Sequence, residues 1–194
     1  MSKHSSTEKR IKQQLVEYGR RISAAGMVIG SGGNISVRYR DVVFIKARDV
    51  HMARAGAGDY IAIDLGKGKL PDRADAVSSE YRMHILCYHA RPDISCVIHV
   101  HPVFSVALSS KIKSLESPDY EFSVNIGKAV LVIPSFPPGS LSLAKAVSKA
   151  IMHSNCVLLK NHGLTCVGKT LEEAYLRCQA IERASQIYLL KRGF

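Results

Sequence analysis

The sequence of 194 residues predicts one domain of the α/β class. Segments with the apolar spacing of a helix alternate along the chain with shorter strand-like runs, and no internal repeat or linker interrupts them. Apolar residues make up 46% and charged residues 22% of the chain, which is the composition of a globular protein with its own hydrophobic core. We therefore expect a flexible N-terminus over residues 1–8 and a single folded domain over residues 9–194.

The first half of the chain opens with a helix. Ile11, Leu15, Tyr18 and Ile22 recur at helical spacing, and Gly26 marks the end of the helix. Beyond a glycine-rich turn at residues 30–34, the pattern predicts strands at residues 35–39, 42–46 and 60–65, an irregular connection at 47–59, a polar loop at 66–75 and a helix from residue 78 to about residue 90.

The second half begins with a strand over residues 94–101, where apolar and polar residues alternate. Residues 111–125 fit no single element. The pattern then predicts a strand at 129–133, a proline-rich turn at 134–140, a helix at 141–152, a strand at 156–160 and a short segment at 163–168. Thr170 and Glu173 form a capping box that opens a long final helix.

Charge and composition narrow the classes of partner. The net charge of +11 suits an anionic partner, which can be a nucleic acid, a membrane surface or a phosphorylated metabolite. Lysines and arginines are scattered and no basic run is interleaved with aromatic residues, which disfavours nucleic acid. No signal peptide or membrane-spanning run is present, and the five cysteines form no C-x-x-C pair. We expect a cytoplasmic protein with reduced core thiols and no membrane partner.

Three histidines and a glutamate form a candidate metal site. His99 and His101 lie two residues apart on a strand and therefore project from the same face, as neutral imidazole ligands of zinc can. This pair alone fits half-exposed strand histidines without a metal equally well. His162, after an apolar strand, and Glu80, at the start of a helix, complete the set of an open catalytic zinc site. Spacing alone does not establish that the four residues meet.

Two serine-containing segments form a candidate anion site. The glycine-rich turn at residues 31–34 can present backbone N–H groups to an anion, and the serines at residues 78–79 add hydroxyl groups at the N-terminus of a helix. Taken singly, each segment also fits an ordinary tight turn or an ordinary helix cap. The candidate phosphate-binding residues are Ser31, Gly33, Asn34, Ser78 and Ser79.

Three segments, at residues 26–38, 78–102 and 158–189, resemble the class II aldolase/adducin family. The resemblance rests on the motifs S-S-E, H-x-H and N-H-G in this order, and it runs from about residue 11 to the end of the chain with a weaker middle third. It implies a mainly antiparallel central sheet flanked by helices. It also implies a homotetramer whose sites lie between subunits.

The resemblance also assigns roles to individual residues. It implies that His99, His101 and His162 hold Zn²⁺, with Mn²⁺ or Co²⁺ as alternatives. Glu80 matches the acidic residue that ligates the metal at rest and then serves as the acid and base, and a glutamate there favours the aldolases over the epimerases. Tyr120 matches a catalytic tyrosine that reaches into the site of the neighbouring subunit.

The reaction that the resemblance implies is the reversible retro-aldol cleavage of a ketose 1-phosphate, of the fuculose 1-phosphate type, to dihydroxyacetone phosphate and an aldehyde. One departure keeps the substrate open: residues 46–49 read Lys-Ala-Arg-Asp where the aldolases commonly have a T-P-[ST]-G segment. Lys46 and Arg48 can bind an anion more strongly than a hydroxyl group, so Arg48 joins the candidate substrate-binding residues.

The same departure leaves other reactions on the same metal site open. These are a pentulose-phosphate 4-epimerase, a methylthioribulose-phosphate dehydratase and a keto-acid-phosphate decarboxylase. From a different class, an adducin-like binding module without catalytic activity remains an alternative. Because the printed chain ends at Phe194, we do not expect the C-terminal active-site tyrosine of longer relatives.

Overall fold

One sheet of eight strands organises the part of the chain that the computed structural model describes, residues 3–66 and 74–191. The strands are β1 (Asn34–Tyr39), β2 (Val42–Lys46), β3 (Tyr60–Asp64), β4 (Cys96–Val100), β5 (Ser114–Leu115), β6 (Val130–Ile133), β7 (Cys156–Leu159) and β8 (Gly163–Gly168). Their spatial order is β3-β2-β1-β4-β8-β7-β6-β5, and every neighbouring pair is antiparallel except β6 and β7. The predicted α/β class is confirmed.

Among the described residues, six α-helices cover the two faces of this sheet. They are α1 (Lys3–Ala24), α2 (Tyr81–Ala90), α3 (Val103–Ser109), α4 (Tyr120–Asn125), α5 (Leu141–Ile151) and α6 (Leu171–Lys191). Apolar side chains of α1, α3, α4 and α6 pack in one core, and those of α2 and α5 pack in the other. Among the described residues, no helix has the length and apolar character that crossing a membrane requires.

The middle strand β4 is buried on both sides because it lies between these two cores. Ile98 and Val100 belong to the core under α1 and α6, whereas Val97 belongs to the core under α2 and α5. His99 follows Val97 by two residues and therefore points to the α2 side of the sheet. Its side chain is completely buried. The sheet thus carries a polar side chain into the interior beneath the start of α2.

The structure differs from the sequence prediction at two elements. The pattern omitted α3, whose first N–H groups are bonded by the carboxylate of Glu182 on α6, at 2.9 Å from Phe104 N and 2.8 Å from Ser105 N. A cap supplied from a distant helix leaves no local sequence signal. Residues 163–168, predicted only as a short segment, form β8 in the middle of the sheet. Both faces of β8 are buried, so its residues do not alternate.

Smaller differences concern the chain ends and connections. Helix α1 already begins at Lys3, whereas the prediction assigned residues 1–8 to a flexible terminus, and that flexibility stays a prediction. Most of the polar loop predicted at residues 66–75 lies outside the described residues. In the unassigned stretch at 111–125, the structure forms the short strand β5 and the helix α4.

Candidate metal centre

The four predicted ligands lie together at one end of the sheet. The ligand atoms of Glu80, His99, His101 and His162 all lie within 4.8 Å of one another. His99 Nε2 is 3.0 Å from Glu80 Oε2 and 3.0 Å from His101 Nε2, and His162 Nε2 is 3.6 Å from Glu80 Oε1. Segments far apart in the chain therefore supply one compact group of nitrogen and oxygen donors.

Strand β8 fixes the ring of His99. Pairing of β4 with β8 places Thr165 directly opposite His99. His99 Nδ1 is 3.1 Å from Thr165 Oγ1 and 3.2 Å from the carbonyl oxygen of Leu164. The Thr165 hydroxyl donates its own hydrogen to the sulfur of Met83, so its oxygen accepts from the His99 ring. Nδ1 therefore carries a hydrogen, and Nε2 points at the other candidate ligands. Metal-binding histidines are commonly oriented in this way.

A tight hairpin between β7 and β8 brings His162 to the same place. The His162 N–H donates to the carbonyl oxygen of Leu159 at 3.0 Å, and Asn161 adopts the left-handed conformation that asparagine tolerates (φ 57°). The next residue, Gly163, has no space for a side chain, because a Cβ atom there would lie 2.8 Å from His101 Cδ2. Close approach of the hairpin to β4 thus requires glycine.

Glu80 sits at the residue just before α2, but its carboxylate turns into the site and does not cap the helix. Asn34 donates an amide hydrogen to Glu80 Oε2 at 3.0 Å, while Oε1 is buried and accepts no hydrogen bond from any described residue. Burial raises the pKa of the carboxyl group, but His99 and the bond from Asn34 outweigh this, so the net pKa lies well below its ordinary value. Glu80 is therefore a carboxylate at neutral pH.

These groups have the chemistry of a divalent metal site. Burial and the neighbouring rings lower the pKa of His101 to about 4 and also lower the pKa of His162, so both imidazoles are neutral at pH 7 and can donate lone pairs. His99 Nε2 faces the Glu80 carboxylate at 3.0 Å. A cation bound between them would balance the negative charge of the carboxylate. It could also bind Glu80 Oε1, which accepts no hydrogen bond from the described residues. Three imidazoles and one carboxylate match the open catalytic type of zinc site.

A cleft of about 360 Å³ opens beside the four ligands. All six residues that the sequence proposed for substrate binding line it together with Glu80, His101 and His162: Ser31, Gly33, Asn34, Arg48, Ser78 and Ser79. Gly33 adopts a left-handed conformation (φ 68°) and packs against the carbonyl oxygen of His99, where a side chain would not fit. The glycine-rich turn and the two serines thus surround one space next to the ligands.

The two cations of the unusual 46–49 segment have different surroundings. The ammonium group of Lys46 is buried and donates to the carbonyl oxygens of Ser31, Ala47 and Val50 at 3.1, 3.2 and 2.6 Å. Burial lowers the pKa of Lys46 to about 8. Its three N–H bonds are therefore all used within the protein, whereas Arg48 is exposed at the cleft.

Tyr120 lies away from this cleft in the single chain. It is the first residue of α4, is 78% exposed and does not line the space beside the ligands. Val124, four residues later on the same helical face, is also exposed. The two side chains form an apolar patch on the surface of α4.

Sequence reasoning missed the supporting roles of Thr165 and Asn34 at this site and left that of His84 open. The available signal for Thr165 was the apolar and β-branched run between two glycines, which marks β8 as a strand. Asn34 was assigned to phosphate alone, although its side chain bonds Glu80 and His84. For His84, which lies one helical turn after Glu80, the spacing fits a residue that supports the site and an ordinary partly buried histidine equally well, because its contacts with β1 depend on the fold.

Comparison with known proteins gives the same family throughout. Residues 13–189 match the family model described as the class II aldolase and adducin N-terminal domain. The chain is 29% identical over 180 residues to a 5-methylthioribulose-1-phosphate/5-deoxyribulose-1-phosphate aldolase of Escherichia coli O45:K1, covering 93% of this chain and 84% of that protein. It is 32% identical over 162 residues to an L-fuculose phosphate aldolase of Methanococcus maripaludis, covering 82% and 86%.

The solved structures agree with the sequence comparison. The crystal structure of an L-fuculose-1-phosphate aldolase from Thermus thermophilus superposes with a TM-score of 0.87 at 27% identity, covering 94% of each chain. The match includes the mainly antiparallel sheet and its flanking helices, so the fold that the resemblance implied is confirmed.

Proposed function

Because the chain belongs to the class II aldolase and adducin family, we propose that it is a zinc-dependent aldolase that reversibly cleaves a ketose 1-phosphate to dihydroxyacetone phosphate and an aldehyde. The observation that carries the proposal is the convergence of Glu80 and three histidines beside a cleft lined by hydroxyl and glycine residues. An idle binding module has no physical need for a buried carboxylate with an unpaired oxygen among three imidazoles.

The metal-binding residues are His99, His101 and His162, with Glu80 as the ligand that can leave. Imidazole nitrogen with one carboxylate suits zinc, and the order of divalent-metal affinities favours zinc over manganese and cobalt. When bound, the metal supplies Lewis-acid stabilisation of negative charge that develops on substrate oxygens. His101 and His162 keep their lone pairs free for this task because they are neutral at pH 7.

Glu80 moves the proton in this proposal. Its Oε1 has no hydrogen-bond partner among the described residues and faces His162 at 3.6 Å, while Oε2 is held by Asn34. In the direction of synthesis, Oε1 takes a proton from dihydroxyacetone phosphate, and in the direction of cleavage it returns the proton to the same carbon. A carboxylate with a low pKa becomes an effective base only after it has left the metal, because the cation stabilises its charged form.

The phosphate binds at the other end of the cleft. The turn at residues 31–34 and the hydroxyl groups of Ser78 and Ser79 offer neutral donors, and the exposed Arg48 adds a positive charge. Two relatives are named as aldolases of L-fuculose phosphate and of 5-methylthioribulose 1-phosphate or 5-deoxyribulose 1-phosphate. Both names describe ketose phosphates, which favours a substrate of this class over an unphosphorylated one.

Tyr120 completes the site from a neighbouring subunit of a homotetramer. The tyrosine is 78% exposed and lies outside the cleft of its own chain, and Val124 beside it extends the exposed apolar patch. Such a patch on a helix is typical of a surface that a partner covers. In this assembly the phenol donates a proton to the aldehyde oxygen as the carbon–carbon bond forms, and in the direction of cleavage the phenolate takes that proton back from the same oxygen as the bond breaks. The free, buried cysteines agree with a cytoplasmic location.

The proposal is tested by supplying several ketose 1-phosphates to the zinc-loaded protein. Release of dihydroxyacetone phosphate is followed through coupled NADH oxidation. We expect release from at least one substrate, its loss in His101→Ala, and its retention in the control His153→Ala, because His153 is exposed in a different cleft. No release from any substrate by protein with stoichiometric zinc would instead favour the epimerase, dehydratase or decarboxylase.

Two further variants test the assigned roles. Glu80→Gln should retain zinc and lose roughly 10²–10⁴-fold in kcat, as expected when a general acid and base is removed. Near-normal turnover would exclude Glu80 as the base. Mixed and reassembled Glu80→Gln and Tyr120→Phe subunits should recover part of the activity, because some sites then contain both intact residues. No recovery in verified mixed tetramers would show that the two residues do not act across subunits.

A further inference from the structure

A line of buried polar side chains runs from Glu80 into the core between β1 and α2. Asn34, Ser36, His84 and Tyr88 are at most 4% exposed, although each carries a polar group. Asn34 Nδ2 is 3.0 Å from Glu80 Oε2, and Asn34 Oδ1 forms a hydrogen bond with His84 Nε2. Ser36 Oγ lies 2.7 Å from His84 Nδ1 and 2.7 Å from the Tyr88 hydroxyl. Neither metal binding nor the phosphate site uses the inner three residues.

Only one arrangement of hydrogens satisfies this line. The Glu80 carboxylate can only accept, so Asn34 must turn its NH₂ group to Glu80 and its oxygen to His84. His84 Nε2 therefore carries a hydrogen and donates it to Asn34. Burial lowers the pKa of His84 to about 3, so the ring is neutral and Nδ1 accepts from the Ser36 hydroxyl. Ser36 then accepts the hydrogen of Tyr88 at 2.7 Å, because the other acceptor near that hydroxyl, the carbonyl oxygen of Ser95, lies farther away at 3.4 Å.

Each residue of the line fixes the hydrogen-bond orientation of the residue that lies one step nearer to Glu80. An asparagine amide can rotate by half a turn at little intrinsic cost, and the donor on His84 excludes that rotation because the amide NH₂ would then meet an N–H group. The His84 ring has two neutral tautomers, and the Ser36 hydroxyl selects one. The Ser36 hydroxyl can rotate, and the donor on Tyr88 directs it. All four hydrogens consequently point towards Glu80, and their dipoles reinforce one another in the dry interior.

We propose that Tyr88, Ser36 and His84 are positioning residues that act through Asn34 to fix the orientation of the Glu80 carboxylate. This inference rests on the proposed function, in which Glu80 carries the proton. The line keeps Oε2 bonded to Asn34, so that Oε1, the oxygen facing His162, is the atom that takes and returns the proton. Without the line, the amide can turn its oxygen to Glu80 and the carboxylate loses its bond and its fixed rotation.

The first test reads the tautomer of His84 directly and needs no activity. Nitrogen chemical shifts of the histidine rings are measured in the zinc-loaded protein labelled with ¹⁵N-histidine, and the His84 signals are assigned by their absence in His84→Gln. We expect a ring with hydrogen on Nε2 and not on Nδ1. A ring with hydrogen on Nδ1 would overturn the inferred direction and with it the proposal.

The second test compares two buried tyrosine hydroxyl groups. Tyr88→Phe removes the end of the line, whereas Tyr60→Phe removes a hydroxyl that donates to the backbone oxygen of Leu15 at 2.8 Å, far along the chain from Glu80. Both variants should lower the melting temperature. Only Tyr88→Phe should also lower kcat, with KM little changed. Equal kcat values for the two variants would show that the Tyr88 hydroxyl serves packing alone.

Substitutions at His84 separate positioning from folding. Glutamine can place an amide N–H near the position of Nε2 and should preserve most of kcat, whereas leucine removes the donor and should lower kcat by roughly 10–100-fold, the effect usual for residues that support a metal site. Zinc affinity should follow the same order, and equal values for the two variants would contradict the proposal. If the wild type cleaves no ketose 1-phosphate, the aldolase proposal fails. The tautomer of the His84 ring and the order of zinc affinities would still test whether the buried line orients Glu80.

Discussion

Replacing Gly163 by alanine tests how closely the β7–β8 hairpin must approach the histidines of β4. A Cβ atom at residue 163 would lie 2.4 Å from the carbonyl oxygen of Val100, 2.8 Å from His101 Cδ2 and 3.3 Å from His99 Cε1. Real Cβ contacts stay above 3.0 Å, so the Val100 oxygen alone must move away by at least 0.6 Å, the difference between 3.0 and 2.4 Å. Because β1 and β8 hold β4 on both sides, this oxygen cannot move without its strand.

The size of the effect follows from this crowding. Forcing one extra methyl group into a closely packed interior costs about 1–3 kcal/mol of stability. For a protein of this length each kcal/mol lowers the melting temperature by about 2–4 °C, so we expect a decrease of roughly 2–12 °C in the metal-free protein. Displacement of two ligand rings should also weaken zinc binding by about 10–100-fold, as the loss of a supporting contact does at other metal sites.

Two measurements and one control test the prediction for Gly163→Ala. The melting temperature is measured by circular dichroism on metal-free protein, and zinc affinity by competition with a chromophoric chelator. Gly58→Ala is the control, because Gly58 is exposed and an added Cβ would meet no atom within 4 Å. Unchanged zinc affinity and an unchanged melting temperature in Gly163→Ala would mean that the hairpin can relax freely, and the reasoning from close packing would be wrong.

Three further predictions address pH, the buried lysine and the metal. Burial lowers the pKa of His84 from 6.5 to about 3, so the unfolded chain binds a proton more readily than the folded protein does. The free energy of unfolding should therefore fall as the pH drops from about 6.5 towards 3. His84→Gln should flatten this dependence, which is measured by urea titrations at pH 7 and pH 5. Lys46→Met leaves three backbone oxygens without their donor and should reduce the free energy of unfolding in urea by roughly 1–3 kcal/mol. A thousandfold excess of free zinc over its Kd should stabilise the protein by about 4 kcal/mol, and this gain should vanish in His101→Ala in matched thermal scans.

The four candidate ligands could be proposed from the sequence because each stands in a short local motif. His99 and His101 share a strand face, and His162 and Glu80 stand where a strand ends and a helix starts. What the motifs could not give is the contact between them, since that depends on β8 lying between β4 and β7. Thr165, which orients His99, belongs to β8. Both faces of this strand are buried, so its sequence does not alternate between apolar and polar residues.

The helix that follows the metal-binding strand shows a second kind of limit. Helix α3 is only seven residues long and has no capping side chain of its own. Its first donors are bonded by Glu182 from α6, about 80 residues later in the chain. Short helices of this kind are stabilised by tertiary contacts and not by local propensity. No local pattern could therefore distinguish residues 103–109 from a loop.

The unusual 46–49 segment illustrates why residue type alone does not define a role. From the sequence, Lys46 and Arg48 are equivalent cations for a substrate anion. In the structure, Lys46 gives all three ammonium hydrogens to backbone oxygens, one of them on Ser31 in the glycine-rich turn. Its charge still contributes to the local potential, but its hydrogen bonds hold the turn in place. Of the two cations, Arg48 is the one with an exposed side chain at the cleft, so we propose that it selects the anion.

Asn34 connects the two ends of the proposed reaction. Its amide oxygen accepts from His84 and one amide hydrogen binds Glu80, which leaves the second hydrogen as the only part of the side chain available to a substrate phosphate. An anion that accepts this hydrogen requires the same orientation of the amide as the buried line does. In the proposed reaction, phosphate binding and the orientation of the Glu80 carboxylate would therefore reinforce each other through one side chain. A substrate without the phosphate forgoes this coupling, so its loss should lower kcat as well as raise KM.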